Sequence, residues 1–307
     1  MYKRLLVPLD GSALAELAFS DAAELAVGLD LECIILLHIY AEDQAEFGAT
    51  HKAYLDRAVE TLRARWDEAR QAMGDIAAES APEIRSELAA GKPAEDILRY
   101  AESNGVDLIM MVTHGRSGIK RWAMGSVADK VLRASQVPVW LLRATTGEKP
   151  APDTERGKTI VVPLDGSPLA ESVLPHVETL ARQRSHQPTE IVLLSICEPV
   201  VPPAVYPTVA PVDMEADLSR ARDADMGYLA GVEKGLVHKG LSARSVVVIG
   251  KPADEIVDYA RNNPCDLIVM ATHGRSGISR WVYGSVAEKL ISGAPSPVLL
   301  VRPADSG

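Results

Sequence analysis

The chain carries one stretch twice whose residue types suit the binding of an anion. Its first copy runs Val-Thr-His-Gly-Arg-Ser-Gly from Val112 and reaches Gly-Ser-Val-Ala at Gly125; its second copy begins at Ala271 and reaches the same sequence at Gly284. Each copy follows a short apolar run, so we predict a strand, a glycine-rich loop and a helix start, in that order. The first N–H groups of a helix are unpaired and carry the positive end of its dipole. The predicted ligand is a phosphate.

Particular residues in the two copies suit this ligand. Gly115 and Gly274 would allow close backbone approach or a positive φ, and Ser126 and Ser285 would each offer a hydroxyl and an N–H. The alternative is a plain connecting loop in which these serines are ordinary N-caps. Both copies retain Arg, Ser and Gly although the neighbouring helices have diverged. Packing tolerates the exchange of one apolar residue for another and does not require these three residue types. Their retention therefore favours a phosphate site.

Composition limits the classes of partner and compartment. The chain has 307 residues, 47% of them hydrophobic and 24% charged, which is typical of a globular protein with two domains. The formal charge of -10 argues against nucleic acid as a partner. Three cysteines form no metal or disulfide pattern, and no apolar run reaches the length of a membrane span. We therefore expect a cytoplasmic protein with no membrane contact.

An internal repeat divides the chain. Leu-Leu-Val-Pro-Leu-Asp-Gly-Ser from Leu5 returns as Ile-Val-Val-Pro-Leu-Asp-Gly-Ser from Ile160, and later segments match in the same order. The repeat predicts domains at residues 1–145 and 158–307, joined by a linker at 146–157.

Apolar runs alternate with helical patterns within each repeat. Strands are predicted at residues 3–9, 34–39, 84–89, 107–112 and 139–143, and at 159–164, 191–196, 243–249, 266–271 and 298–302. Ser12 and Ser167 are predicted N-caps of the first helix in each repeat. The alternation predicts an α/β fold with two doubly wound, Rossmann-like parallel sheets of five strands each.

The end of the first strand offers a second group for a ligand. Ligands of doubly wound sheets bind beyond the carboxyl ends of the strands, where the strand order reverses. If the first and fourth strands are neighbours there, Asp10 and Asp165 face the phosphate loops. Each carboxylate is a candidate ribose ligand, and the alternative is an Asp that stabilises its own turn.

On these residues the chain resembles a tandem universal stress protein, with two UspA-type domains covering essentially its whole length. The family's nucleotide pattern, Gly-x-x-Gly-x9-Gly-Ser/Thr, is matched over Gly115–Ser126 and Gly274–Ser285. The first glycine of the pattern is replaced by Val112 in one half and Ala271 in the other. Because valine is the larger, we expect the C-terminal crevice to admit a nucleotide more closely.

The resemblance implies ATP, or ADP or AMP, with Mg²⁺. It also implies sheets of order 3-2-1-4-5 and pairing of the two domains through their last strands, with a homodimer as a further state. In such proteins the Asp that ends the first strand lies near the ribose, and main chain at the end of the second strand, here Ile39 and Ile196, meets the adenine. The full candidate binding set is Pro8, Asp10, Ile39, Val112, His114, Gly115, Arg116, Gly118, Gly125, Ser126, Val127, Pro163, Asp165, Ile196, Ala271, His273, Gly274, Arg275, Gly277, Gly284, Ser285 and Val286.

The expected function is that of a cytoplasmic universal stress protein that binds ATP and signals or protects through an unidentified protein partner. One alternative is a slow ATPase or phosphotransferase in which Arg116, Arg275 and Mg²⁺ neutralise the phosphates. The other is an interaction module without nucleotide. His114 and His273 suit loop anchoring better than general-base catalysis, so no catalytic residue and no protein metal site is assigned.

Overall fold

A computed structural model of the chain shows two halves with similar folds. It describes residues 2–29, 31–74, 80–113, 124–144, 158–183, 188–199, 214–272 and 284–303. The first half contains β1 (Arg4–Leu9), α1 (Ala18–Leu29), β2 (Cys33–Tyr40), α2 (Gly48–Met73), β3 (Glu83–Ala90), α3 (Pro93–Ser103), β4 (Leu108–Thr113), α4 (Ser126–Ala134) and β5 (Val139–Arg143). The second contains β6 (Lys158–Pro163), α5 (Pro168–Glu171), α6 (Leu174–Gln183), β7 (Thr189–Cys197), α7 (Met214–His238), β8 (Ser242–Ile249), α8 (Pro252–Asn262), β9 (Leu267–Ala271), α9 (Ser285–Gly293) and β10 (Val298–Val301). The predicted linker lies outside the described residues.

The strands form one continuous sheet of order β3-β2-β1-β4-β5-β10-β9-β6-β7-β8. Within each half the described pairs are parallel, and each half has the predicted order 3-2-1-4-5. The halves join where β5 runs antiparallel to β10, with Leu141 opposite Val298 and Val139 opposite Leu300. This confirms the predicted pairing through the last strands, which covers two apolar sheet edges.

Two apolar layers cover the two faces of the sheet. Inner strands such as β2 are apolar along most of their length because both faces are buried. One layer packs α1 and α2 against side chains such as Leu5 and Leu36; the other packs α3 and α4 against Leu6 and Ile35. Both layers continue into the second half, so the core crosses the β5–β10 junction.

The first helix of each half departs from the prediction. Ser167 is the predicted N-cap and its hydroxyl accepts from the Ala170 N–H, but the helix breaks after Glu171 and resumes at Leu174. Pro175 explains the break, because proline has no N–H to donate to the preceding turn. In the first half Ser12 precedes a short 3-10 turn, and α1 begins only at Ala18.

The outer face of α7 is unusual in composition. Gly227, Gly231 and Gly235 stand four residues apart on this helix, are exposed, and have open space where a Cβ atom would lie. Glycine inside a helix is destabilising relative to alanine. The three glycines therefore weaken α7 without a contact among the described residues that requires them.

Within the described ranges, no helix has both the length and the apolar character needed to cross a membrane.

Candidate functional site

The turn that follows the first strand has the same geometry in both halves. Oδ1 of Asp10 accepts from the backbone N–H of Ser12 at 3.0 Å and from its hydroxyl at 2.6 Å. Oδ1 of Asp165 accepts from Ser167 at the same two distances, 3.0 and 2.6 Å. Gly11, between Asp10 and Ser12, has a φ of 84°, a backbone conformation that favours glycine. Each carboxylate therefore stabilises its own turn through Oδ1, which does not by itself exclude a ligand at the other oxygen.

The helices α4 and α9 begin in the same way as each other. Gly125 and Gly284 are the N-caps, so Ser126 and Ser285 are the first helical residues. The alternative interpretation, in which these serines are ordinary N-caps, is therefore wrong. The first bond within α4 runs from the Asp129 N–H to the Gly125 carbonyl at 3.0 Å, so the three preceding N–H groups have no partner within the helix. Such a helix start can receive an anion.

The sheet brings the turn and the helix start to the same edge. β1 is the neighbour of β4, and β6 is the neighbour of β9, which puts the reversal of strand order where it was predicted. Near the second site, the Gly284 N–H donates to the Thr272 carbonyl at 3.1 Å, which ties the start of α9 to the end of β9. Ile39 and Val127, and their counterparts Ile196 and Val286, belong to the apolar layer that contains α4 and α9. Pro8 and Pro163 are half-buried in their strands and pair with β2 and β7.

The two residues that replace the family's first glycine face the opposite layer. Val112 and Ala271 pack into the apolar layer of α1 and α2, on the other side of the sheet from α4 and α9. A larger side chain there does not narrow the approach to the helix starts. The expected preference for the C-terminal site therefore loses its steric reason.

A histidine pair beneath the first turn was not predicted. Nδ1 of the buried His38 lies 2.8 Å from the Leu9 carbonyl oxygen, and its Nε2 lies 2.9 Å from Nδ1 of His51. A carbonyl only accepts, so His38 donates from Nδ1, and a neutral His38 then accepts from His51. The pair fixes the carbonyl that precedes Asp10. A lone polar residue within the apolar run of β2 was the available signal, and Ser195 takes this place in the second half.

Tyr54 lies close to the same turn. Burial, together with the negative charges of Glu16 and Asp10, raises the pKa of Tyr54 to about 12. The phenol is therefore neutral at physiological pH, and it packs edge-on against His38 with 5.5 Å between ring centroids. These contacts place two aromatic rings next to the end of β1, on the α1 and α2 side of the sheet.

The carboxylates that open the fourth strand of each half are structural. Asp107 accepts from the backbone N–H groups of Lys3 and Arg4 at 2.8 and 3.1 Å, and Asp266 accepts from that of Thr159 at 2.7 Å. Burial raises the pKa of Asp107 although the two N–H groups oppose this. Among the described residues no cluster of three or more metal-binding side chains occurs.

The family follows from the comparison with known proteins. A model of the Universal stress protein family matches the chain twice, over residues 1–143 and 157–302. The chain belongs to the universal stress protein family. A universal stress protein of Mycolicibacterium smegmatis is 24% identical over 304 residues, which cover 97% of both chains. One of Methanocaldococcus jannaschii is 31% identical over 144 residues, which cover 47% of this chain and 83% of that protein.

Solved structures agree on the fold. A functionally unknown protein of Pseudomonas aeruginosa PAO1 is similar to this chain with a TM-score of 0.68 and 18% identity, over 99% of this chain and 94% of the other. A universal stress protein of Archaeoglobus fulgidus gives a TM-score of 0.62 at 19% identity. At such identities the likeness supports the fold alone.

The loop residues among the candidates lie outside the described residues: His114, Gly115, Arg116, Gly118, His273, Gly274, Arg275 and Gly277. The strand ends, turns and helix starts that flank these loops do come together in each half.

Proposed function

We propose that each half binds an adenine nucleotide, ATP or else ADP or AMP, with Mg²⁺ on its phosphates. The observation that carries this proposal is the repeated meeting of an Asp-Gly-Ser turn with a Gly-Ser helix start at the reversal of strand order. Doubly wound sheets bind ligands at this place. Nucleotide occupancy would then alter the binding of a protein partner during a stress response in the cytoplasm.

Each part of the nucleotide has a group that suits it. The unpaired N–H groups at the starts of α4 and α9 suit the phosphates, and Ser126 and Ser285 add hydroxyl donors. The second oxygen of Asp10 can accept from a ribose hydroxyl, because the hydrogen bonds within its turn use Oδ1. Mg²⁺ keeps most of its water and binds through phosphate oxygens, so it needs no protein cage.

The first experiment asks whether nucleotide is bound at all. Purified protein is heat-denatured and the supernatant analysed for nucleotide, and a stripped sample is melted with and without Mg-ATP. Ligand at 100 times its dissociation constant adds about 2.7 kcal/mol to the domain that binds it, which is a shift of several degrees at about 2–4 °C per kcal/mol. An unchanged melting curve at millimolar Mg-ATP, with no released nucleotide, would contradict the proposal.

Two single-site proteins separate the halves. Gly125→Val with Ser126→Ala should block the N-terminal site, and we call this variant the C-site protein because only its C-terminal site remains. Gly284→Val with Ser285→Ala should block the C-terminal site, and we call this variant the N-site protein. Both cap glycines have a negative φ, -58° and -62°, so a valine is conformationally allowed there. A Cβ at Gly284 would lie 3.8 Å from the Thr272 carbonyl oxygen, an ordinary contact. Titration calorimetry should find one ATP per single-site protein, and Gly231→Ala on α7 serves as the control.

A further inference from the structure

The histidine pair beneath the first turn connects the end of β1 to the long helix of the first half. His38 stands opposite Leu9 in the register of β2 with β1. The Leu9 carbonyl belongs to the same planar peptide unit as the Asp10 N–H, so the bond from Nδ1 of His38 to this carbonyl orients the backbone of Asp10. A Cβ atom added to Gly11 would lie 3.9 Å from Cε1 of His38, so the imidazole ring also lies directly against the turn.

His51 holds the other nitrogen of His38. It lies in the first turn of α2, and its Nδ1 is 2.9 Å from Nε2 of His38. Because the Leu9 carbonyl keeps the proton of a neutral His38 on Nδ1, the donor between the rings is Nδ1 of His51. The His51 ring stacks on Tyr40, with 4.8 Å between the centroids and 13° between the planes. One buried ring thus transmits the position of α2 to the backbone that precedes Asp10.

The pair carries a cost that packing does not explain. With the proton of a neutral His51 on Nδ1, its Nε2 is an acceptor, and this atom is buried without a hydrogen-bond partner in the described part of the chain. An unpaired buried acceptor is destabilising. Two apolar rings could fill the same space without such an atom, so the nitrogens of the pair call for a role other than packing.

The second half shows that the turn forms without this pair. Ser195 takes the place of His38, and Asp165 nevertheless makes the same two hydrogen bonds to Ser167 that Asp10 makes to Ser12. The pair is therefore not needed to form the turn. Its contacts add a second attachment, which only the first turn has among the described residues.

His38 lies on the face of the sheet opposite α4. Side chains alternate between the faces of a strand; Leu36 packs in the layer of α1 and α2, whereas Ile39 packs in the layer that contains α4. The pair therefore supports the turn from the side away from the start of α4, and it acts on a ligand there through the turn.

We infer that His38 and His51 are positioning residues that hold Asp10 for the ribose in the first site, a support that the second site lacks; this rests on the proposed function. A hydrogen bond to an acceptor that is already fixed gains affinity, because less freedom is lost on binding. The N-site protein should therefore distinguish ATP from its 2′-deoxy or 3′-deoxy analogue more strongly than the C-site protein does.

The test compares ATP with these analogues by titration calorimetry. His51→Phe keeps a ring on Tyr40 and removes the donor to His38. In the N-site protein it should weaken ATP about three- to tenfold, and weaken the analogue without the hydroxyl that Asp10 binds by less than about twofold. The C-site protein should be unchanged. His51→Asn should restore ATP affinity, because its amide N–H lies near the place of Nδ1, and His238→Phe, at an exposed histidine of α7, is the control.

Two further measurements separate positioning from a general loss of structure. In a double-mutant cycle, His51→Phe should have little further effect on ATP affinity when Asp10→Asn is already present. In the protein without nucleotide, the amide NMR signal of Gly11 should shift in His51→Phe and return in His51→Asn. The signal of Gly166, which has the same place in the second half, should stay constant.

The outcomes are distinct. Equal losses of ATP and both deoxy analogues, equal losses in the two single-site proteins, or an unmoved Gly11 signal would overturn the inference while the nucleotide sites stand. If neither single-site protein binds nucleotide before His51 is changed, the proposed function fails and the ribose role fails with it. The Gly11 signal would then still report whether the pair holds the turn.

Discussion

Asp10 and Asp165 each use one carboxylate oxygen for hydrogen bonds within their own turn. A substitution that keeps these bonds can therefore test ligand binding without disturbing the turn. Asparagine at Asp10 can still accept from the N–H and hydroxyl of Ser12 through its amide oxygen. The turn should survive, but the negative charge is lost. The two interpretations of the aspartate, ribose ligand and turn former, can thus be told apart by one atom.

We expect Asp10→Asn to weaken ATP binding about five- to twentyfold in the N-site protein, because a hydrogen bond to a charged group is worth about 1.5–3 kcal/mol against about 1 for a neutral one. Asp165→Asn should do the same in the C-site protein. Titration calorimetry measures both, and the melting temperature without nucleotide should stay nearly constant. Unchanged affinity would leave these residues with the turn alone.

At the scale of residues, the sequence predicted which residues lie at the candidate site better than it predicted their side-chain contacts. Asp10, Gly125 and Ser126 were identified because they recur with constant spacing. The pair of His38 and His51 could not be found in this way, because it depends on where α2 crosses the end of β2 and has no copy in the second half. The sequence also could not show that Val112 faces the side of the sheet opposite to α4, since this depends on the side on which α4 packs.

At the scale of elements, the glycines on α7 give a stability prediction. Replacing Gly227, Gly231 and Gly235 by alanine should stabilise the protein by about 0.5–1 kcal/mol each, because each Cβ enters open space. Urea unfolding measures the gain.

Gly91 supplies the matched control for this series. Its φ is 155°, and a Cβ would clash with Oδ2 of Asp96, which accepts from the Lys92 N–H at 2.7 Å. Gly91→Ala should therefore destabilise by about 1–3 kcal/mol. If the α7 alanines gave no gain while Gly91→Ala behaved as expected, the outer face of α7 would have contacts beyond the described residues.

The elements themselves were largely predictable. The order and type of the strands followed from the apolar runs and their alternation with helical patterns. The split between α5 and α6 was missed because Ser167 and Pro168 signal a helix start, and the effect of Pro175 depends on whether the chain can turn there. Tertiary packing permits that turn, and local preference alone could not show it.

At the scale of the whole molecule, the halves also touch through a titratable pair. The hydroxyl of Tyr2 lies 2.7 Å from Nδ1 of His176 in the other half. Burial lowers the pKa of His176, so the folded state favours the neutral ring. A histidine with a lowered pKa contributes stability that is present above the unfolded value of about 6.5 and is lost as the pH falls below it.

We therefore expect the free energy of unfolding to fall between pH 7.5 and 5.5, and to fall less in His176→Asn. Asparagine offers an acceptor near the place of Nδ1 and does not titrate in this range. Urea unfolding at several pH values gives the comparison, in which the other histidines contribute equally to both proteins. Identical slopes would show that the contact between Tyr2 and His176 does not respond to pH.

The pairing of the halves was predictable from two short apolar strands that would otherwise be exposed edges. Nη1 of Arg143 donates to the Ala294 carbonyl at 3.2 Å, and Nη1 of Arg302 donates to the Arg133 carbonyl at 3.4 Å. These contacts were not predictable, because they depend on how the end of one half meets a helix of the other. Such contacts have no local pattern in the sequence.

The antiparallel junction of β5 and β10 also determines where the two proposed sites lie on the molecule. A half-turn exchanges the two halves, so the strand ends that carry the two proposed nucleotide sites lie at opposite rims of one sheet and face in opposite directions. A partner that grips one loaded rim leaves an equivalent rim exposed on the far side. If a partner recognises the nucleotide-loaded rim, a chain with both crevices filled would bind two copies of that partner, and a chain with one filled crevice would bind one.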